Sequence, residues 1–218
     1  MVRPRLAGVS ARRLHLVRHG EVFNPERVLY GRIPGYRLSV EGRRMARAAA
    51  EHIQSLQRPI GALISSPLQR AKESSQPFTE LFGLTPVIDE RIIEPTNIFE
   101  GKRVKRAVLN PLVWPKLLRP SVPSWGEPYE SIATRVIAAM NDVWDDTESG
   151  DIVMVSHQSP IWITHLKIAG EPMKHKSWNR RCNLSSVTSF ERDENGTWRE
   201  VAYAEPAETG DAVDVGAV

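Results

Sequence analysis

Leu14-His15-Leu16-Val17-Arg18-His19-Gly20-Glu21 (LHLVRHGE) is the stretch on which the fold turns. Its short apolar run, Leu14 to Val17, stops abruptly at a charged glycine turn, the pattern of a buried strand that delivers its polar residues to a loop. The same pattern returns twice. Ala62 to Ile64 closes on Ser65, Ser66 and Pro67, and Asp151 to Val155 (DIVMV) closes on Ser156-His157-Gln158 with a helix start at Pro160. Between these runs lie amphipathic stretches. Ser39 with Gly42 opens a segment through Gln57 in which Met45, Ala48, Ala49, His52, Ile53 and Leu56 recur at helical spacing. Pro67 to Phe82 follows a Ser-Pro start and ends at Gly83, and Tyr129 to Trp144 carries Ile132, Val136, Ile137, Met140 and Val143 on one stripe. Pro86 to Asp89 reads as a short extended piece. Ser186 to Arg192 and Thr197 to Ala204 flank Asn195-Gly196, a hairpin signature. Strand, loop and helix in alternation predict an α/β fold with a mostly parallel sheet and an antiparallel edge.

The chain has 218 residues, enough for one domain that buries roughly 70% of its extended surface. With 41% hydrophobic and 25% charged residues it is neither low-complexity nor disordered over most of its length. A net charge of +3 conceals a strong asymmetry: residues 1 to 58 hold twelve Arg against four Glu, residues 101 to 120 six Lys/Arg and no acid, and residues 200 to 218 five acids and no base. A basic front suits nucleic acid, an anionic membrane or one small anion held well. No nucleic-acid recognition motif and no aromatic-basic interleaving accompany it, so no nucleic-acid partner is expected. Arg43, Arg44 and Arg47 fall on the polar side of a helix and read as a solvated face. Cys182 is the only cysteine, which excludes an internal disulfide and reads as an inert buried thiol. The start, MVRPRLAGVSARR, lacks an apolar signal core, and no window approaches a membrane span, so a cytoplasmic chain without membrane contact is expected. Residues 1–12 read as a flexible leader, 13–205 as a single domain with a Pro-rich insertion at about 98–127, and 206–218 as a disordered acidic tail. Oligomeric state is open, a homodimer included.

In open α/β sheets ligands sit at the carboxyl ends of strands. Those ends carry Arg18-His19-Gly20-Glu21, Ser65-Ser66 leading to Arg70, and Ser156-His157-Gln158, so two histidines and two arginines converge. No Gly-x-Gly-x-x-Gly follows a strand and no Gly-x-x-x-x-Gly-Lys-Ser/Thr occurs, which argues against dinucleotide and nucleoside-triphosphate sites; no cofactor is expected. Nor is a metal. His15 and His19 are four apart, a ligand spacing on a helix, but here it spans a strand and a turn. His15, His52, His165 and His175 read as structural or surface groups. Trp114, Trp125 and Trp162 are weighed as cavity walls or packing anchors, with packing favoured.

Four blocks in order carry a resemblance: LVRHGEVFNPERVLYG, SSPLQRAKESS, the glutamate of RIIEPTNIFEG, and VMVSHQSPIW. From about residue 13 to 190 the chain resembles the histidine phosphatase superfamily, which includes the cofactor-dependent phosphoglycerate mutases. The resemblance implies a three-layer α/β/α fold and a phosphohistidine intermediate on His19. It makes Arg18 and Arg70 planar forks for phosphoryl oxygens, His157 a donor to an equatorial oxygen and Glu94 the acid that protonates the leaving alcohol. Gly20 and Gly31 would let backbone N–H groups approach the anion. The match has departures. Asn24, the expected phosphate contact, sits one residue nearer Arg-His-Gly than is usual. Gln158 replaces the usual glycine after the second histidine, bringing a side chain into the site that can select the substrate. The segment after Glu94 is one residue short, which keeps Glu90 and Glu100 as rival acids.

A phosphatase that needs no metal and acts on a small phosphomonoester is the function this implies. A phosphoglycerate mutase is the alternative. The mutases' Tyr-Gly after the glutamate is absent, although Lys102, Arg103, Lys105 and Arg106 could replace the missing contacts from a position facing the same cavity. A non-catalytic binder of phosphorylated ligands is a third reading. Sugar phosphates, nucleotide derivatives and phosphoproteins all remain open as substrates.

Overall fold

The computed structural model describes residues 12–103, 110–113, 126–174 and 179–207. Lys105, Arg106, Trp114, Trp125, His175, the leader up to residue 11 and the tail from residue 208 lie outside them. The elements are β1 (Leu14–Arg18), α1 (Val40–Ser55), β2 (Ile60–Ser65), α2 (Gln69–Phe82), β3 (Val87–Ile88), α3 (Tyr129–Asp146), β4 (Asp151–Ser156), α4 (Gln158–Ala169), β5 (Val187–Arg192) and β6 (Trp198–Ala204). One sheet collects the strands in the order β3-β2-β4-β1-β5-β6.

Both faces of that sheet are covered, which is why its central strands read as unbroken apolar runs. In β4, Ile152 and Met154 join Leu14 and Leu16 against Ile132, Val136 and Met140 of α3 and Ile161 and Ile163 of α4. Val153 and Val155 face the other way, with Val17 and Leu63, onto Ala49, Ala50 and Ile53 of α1 and Ala71 and Phe78 of α2. The result is three layers, as the resemblance implied. The sheet is mixed rather than mostly parallel. β3, β2, β4 and β1 pair in parallel, whereas β1–β5 and β5–β6 are antiparallel. The cause is the hairpin at Asp193–Gly196, closed by a 3.0 Å bond from Gly196 N–H to the Asp193 carbonyl, which can only return the chain antiparallel. Its first strand docks on β1, so the antiparallel portion takes two of the six strands and not a single edge.

Helix ends follow local chemistry. Ser39 caps α1 by accepting from Gly42 N–H at 2.8 Å, and α2 stops at Gly83, whose φ of 68° suits a residue without Cβ. α2 starts two residues after Pro67, because Leu68 is extended at ψ 140°. α4 starts ahead of Pro160, which occupies its first turn, where a proline costs no hydrogen bond. Asn97 and Gly126 form an isolated antiparallel bridge. No helix among the described residues is long and apolar enough to cross a membrane.

At the start of β4 sits a buried ion cluster. Asp151 accepts two bonds from Arg58, at 2.5 and 2.8 Å, one from Arg13 N–H at 2.8 Å, and lies 3.3 Å from His15 Nε2. Burial would raise the Asp151 pKa, but these hydrogen bonds outweigh it and hold the carboxyl well below its ordinary value. Its contribution to stability is therefore full above the ordinary aspartate range and fades as pH falls through and below it. Removing one partner of such a pair strands the other, so Asp151→Asn should lower the unfolding free energy by about 3 kcal/mol. Urea titration at neutral pH reads this directly, and an unchanged midpoint would show the cluster to be idle.

Candidate active site

The three parallel strands β1, β4 and β2 end side by side, with Arg18 opposite Ser156 and Ser65 opposite Val155. Two further ladder bonds, His19 N–H to the Ser156 carbonyl (3.1 Å) and Ser66 N–H to the Val155 carbonyl (3.0 Å), extend this order past the strand ends. Arg18, His19, Ser66 and His157 are thereby gathered at one edge of the sheet, and Arg70 reaches them from the first turn of α2.

His19 is buried, and its two ring nitrogens are distinguished by their partners. Nδ1 lies 2.7 Å from the Gly20 carbonyl, which can only accept, and Nε2 lies 3.2 Å from Arg70 Nε, which can only donate. The imidazole is thus neutral, with its proton on Nδ1 and a lone pair on Nε2. Burial, Arg70 and Arg18 all hold its pKa well below the usual histidine value, against the smaller opposing pull of Gly20. The His157 ring stands 5.2 Å away, with Nε2 2.7 Å from Ser66 Oγ and a buried Nδ1 that has no hydrogen-bond partner among the described residues. Burial, Arg70, His19 and Arg18 keep His157 neutral as well. Arg18 donates to the Cys182 carbonyl at 2.7 Å. Arg70 donates to the Gly31 carbonyl at 2.8 Å and lies 4.7 Å over the Tyr30 ring.

Glu94 is set by its main chain. Its carbonyl accepts from Arg32 Nε at 2.5 Å, and two residues earlier the Ile92 carbonyl accepts from Ser156 Oγ at 2.7 Å. The carboxyl is buried, and Oε2 has no partner among the described residues. Burial raises its pKa and outweighs Arg70, Ser159, Arg180 and Arg18, which pull the other way. Its rivals are placed differently. Glu90 is exposed, and Glu100 Oε1 accepts from the Arg32 and Asn97 N–H groups at 3.1 and 3.2 Å, bracing the loop.

Four expected substrate contacts take other forms. Gly20 N–H donates to Ser74 Oγ at 3.1 Å instead of facing an anion, and a Cβ on Gly20 would stand 2.1 Å from the Gly42 carbonyl oxygen. Gly20 is glycine because the loop packs directly on the first turn of α1. Gly31 (φ 42°) offers its carbonyl to Arg70, and a Cβ there would stand 2.2 Å from Glu100 Oε1. Asn24 turns both ends of its amide onto Val28, at 2.8 and 3.2 Å, and closes its own loop. Gln158 is buried at the start of α4, where Nε2 donates to the Cys182 carbonyl (3.3 Å) and Oε1 accepts from Arg180 (3.1 Å). Trp162 is buried in the core layer and stacks on His165. Lys102 and Arg103 are exposed, and Arg103 donates to the Glu26 carbonyl, not to the pocket. Arg44 pairs with Glu41, and Arg47 with Glu51 and Glu80, on the outer face of α1. Tyr30, Ser66 and Arg180 have no role assigned in the motif pattern. Ser66 was signalled by its place after β2; Arg180 belongs to no block of the pattern.

A layered α/β fold with two neutral histidines and two arginines at its strand ends defines a class of phosphoryl-handling proteins. The model of the histidine phosphatase superfamily (branch 1) matches residues 14–205, and the chain belongs to that family, an enzyme of the phosphatase or mutase type. It is 42% identical over 197 residues to the uncharacterized protein Rv0525 of Mycobacterium tuberculosis, covering 89% of this chain and 96% of that one. Among solved structures it is similar to phosphoserine phosphatase from Entamoeba histolytica (TM-score 0.70, 20% identity, 88% of this chain and 96% of that one). It is also similar to mycobacterial glucosyl-3-phosphoglycerate phosphatase Rv2419c (TM-score 0.71, 23% identity, 88% and 98%).

Proposed function

We propose that the chain is a phosphomonoesterase that works through a phosphohistidine on His19, with Glu94 as the proton donor and without a metal ion. The observation that carries this reading is the His19 ring, kept neutral by burial, Arg70 and Arg18, with the Gly20 carbonyl fixing its proton on Nδ1 and the Nε2 lone pair turned to Arg70. On binding, Arg18 and Arg70 take the phosphoryl oxygens, and Arg70 exchanges its bond to Nε2 for one to the substrate. Nε2 then forms a bond to phosphorus as the ester P–O bond breaks, and the departing oxygen takes the Glu94 proton. The Gly20 carbonyl stabilises the positive charge on the phosphorylated ring. In the second half, Glu94 carboxylate removes a proton from water, the hydroxide oxygen attacks phosphorus, and the P–N bond breaks to release phosphate and neutral His19. The positive charge needed by a dianion comes from the two arginines.

His157 contributes through Ser66. A Ser66 hydroxyl that accepts from Leu68 N–H (3.5 Å) and donates to His157 Nε2 leaves the proton on Nδ1, the nitrogen without a protein partner. That proton is a donor for a phosphoryl oxygen in the transition state. Ser66→Ala should therefore lower kcat by about tenfold with little change in KM, since the lost orientation matters most when charge develops. A change confined to KM would place Ser66 outside this role.

The defining test is phosphate release from p-nitrophenyl phosphate and from a panel of phosphorylated metabolites, with and without chelator. Release that survives chelation supports the reading; none under any condition, or release that chelator abolishes, overturns it. Following 3-phosphoglycerate into its isomer beside phosphate release separates a mutase from a phosphatase, and isomer formation faster than hydrolysis would reverse the assignment.

A further inference from the structure

The short segment that ends in Glu94 is held by its main chain, and two of the holders are arginines from different parts of the fold. Arg135, on α3, donates through Nη1 to the Arg91 carbonyl at 2.5 Å. Arg32, between β1 and α1, donates through Nε to the Glu94 carbonyl at 2.5 Å. A single carboxylate serves both arginines. Glu127 accepts from Arg135 Nε and Nη2 at 2.9 Å each, a two-pronged pair, and lies 3.8 Å from Arg32 Nη2. Ser131 Oγ donates to the same carboxylate at 2.8 Å. The preceding residue brings Glu127 to this place: Gly126 bridges Asn97, and a Cβ on Gly126 would stand 2.4 Å from the Thr96 carbonyl oxygen. Glu127 thus follows a residue packed directly on the backbone just beyond Glu94.

We propose that Glu127 is a positioning residue for the acid, clamping the Arg91–Glu94 segment through Arg135 and Arg32 so that the Glu94 carboxyl meets the leaving oxygen. This rests on Glu94 being the proton donor, as set out above. Charge explains why a carboxylate stands there. Two guanidinium groups reach for one short segment, and an anion between them removes their mutual repulsion. Burial would raise the Glu127 pKa, but the bonds from Arg135 and Ser131 and the charges of Arg135 and Arg32 outweigh it and hold the carboxyl below its ordinary value. The Glu127 and Arg135 side chains are each only 17% exposed, so their paired bonds are partly shielded from water. Geometry explains what the clamp does. Ser156 fixes the Ile92 carbonyl from the sheet, and the arginines fix the two ends of the segment around it. Arg32 also follows Gly31, whose carbonyl receives Arg70, so the acid is set against the same loop that sets a phosphoryl-binding arginine. A general acid must stand within hydrogen-bond reach of the departing oxygen, and a misplacement of about 1 Å can cost about a hundredfold.

The test uses Glu127→Gln, which keeps the shape and removes the charge, and Arg32→Gln, which cuts the arm to Glu94 and carries the test if the first variant fails to fold. Amide hydrogen exchange reads the clamp without turnover. The Ile92 and Ile93 amides, bonded to the Asp89 and Glu90 carbonyls, should exchange about tenfold faster in either variant while β1 and β4 stay protected. Unchanged exchange at these amides overturns the proposal. So does a rise spread through the sheet, which would make Glu127 a general stabiliser. Kinetics on substituted phenyl phosphates then reads the acid. In either variant kcat should fall about tenfold for p-methylphenyl phosphate and less than about twofold for p-nitrophenyl phosphate, with KM little changed for both. In a Glu94→Gln background neither substitution should add a further loss, because each acts through that carboxyl. A leaving-group-dependent loss in Glu94→Gln but not in Glu127→Gln or Arg32→Gln would keep the acid and overturn the positioning role. Faster local exchange with no leaving-group dependence in any variant, Glu94→Gln included, would instead remove Glu94 as the acid.

Discussion

His19→Ala should lose turnover of every phosphomonoester by about ten-thousand-fold or more, whatever the leaving group. The size follows from what is removed. Without Nε2 no phosphoenzyme forms, and the remaining cluster of Arg18, Arg70 and His157 can only bind the dianion and polarise it. Inhibition by inorganic phosphate should accordingly survive in the variant, since both arginines keep carbonyl partners that do not involve the ring. Residual turnover within tenfold of wild type would mean that another group attacks phosphorus. The same chemistry sets an acid-side expectation. Burial and the two arginines hold the His19 pKa well below the ordinary histidine value, so the nucleophile stays unprotonated at pH values where a free imidazole would be cationic. Activity should persist into the mildly acidic range.

Glu94→Gln should slow esters of poor leaving groups by roughly a hundredfold to ten-thousand-fold, and p-nitrophenyl phosphate far less. An alkoxide cannot leave without a proton, whereas p-nitrophenolate can. The pH dependence follows from the sign of the shift. Burial raises the Glu94 pKa above the usual carboxyl value, so the protonated acid persists to higher pH than an exposed glutamate would. Turnover of alkyl esters falls as pH rises through that raised value, and Glu94→Gln should abolish this limb while leaving a low plateau. An equal loss on activated and unactivated esters would transfer the acid's role to another group. The exposed Glu90 and the loop-bracing Glu100 are the candidates, and Glu100→Gln should instead loosen the turn at Gly31.

The central strands were legible because both faces of β1 and β4 are buried, so apolar side chains point to both sides, at Ile152 to Val155 without a break and at Leu14, Leu16 and Val17 around His15. The end of the sheet was less so. Asn195-Gly196 announces a hairpin, but where a hairpin docks depends on which edge is left bare, and that is a property of the assembled layers. In the site, the structure gathers Arg18, His19 and His157 because strand ends fix them within a residue, and Arg70 because the first turn of α2 follows β2 closely. Asn24, Gly20 and Gly31 matched a pattern, yet the protein's own packing uses them: Asn24 bonds Val28, Gly20 lies against Gly42 and Gly31 against Glu100. Nothing in a one-dimensional spacing separates a backbone N–H that meets an anion from one that meets Ser74. Arg180 was out of reach for a different reason. It lies in an unpatterned loop, and its bond to Gln158 depends on where the start of α4 falls in the assembled layers.

The central claim is that phosphorus passes through His19, and a rapid-quench experiment with a phosphoryl-labelled ester tests it most directly. Wild type mixed with substrate and stopped in alkali within the first turnovers should yield label that is stable to base and labile to acid, on the peptide containing His19, formed at least as fast as steady-state release. No labelled enzyme at times when product is accumulating, or label on a peptide without His19, would contradict the account.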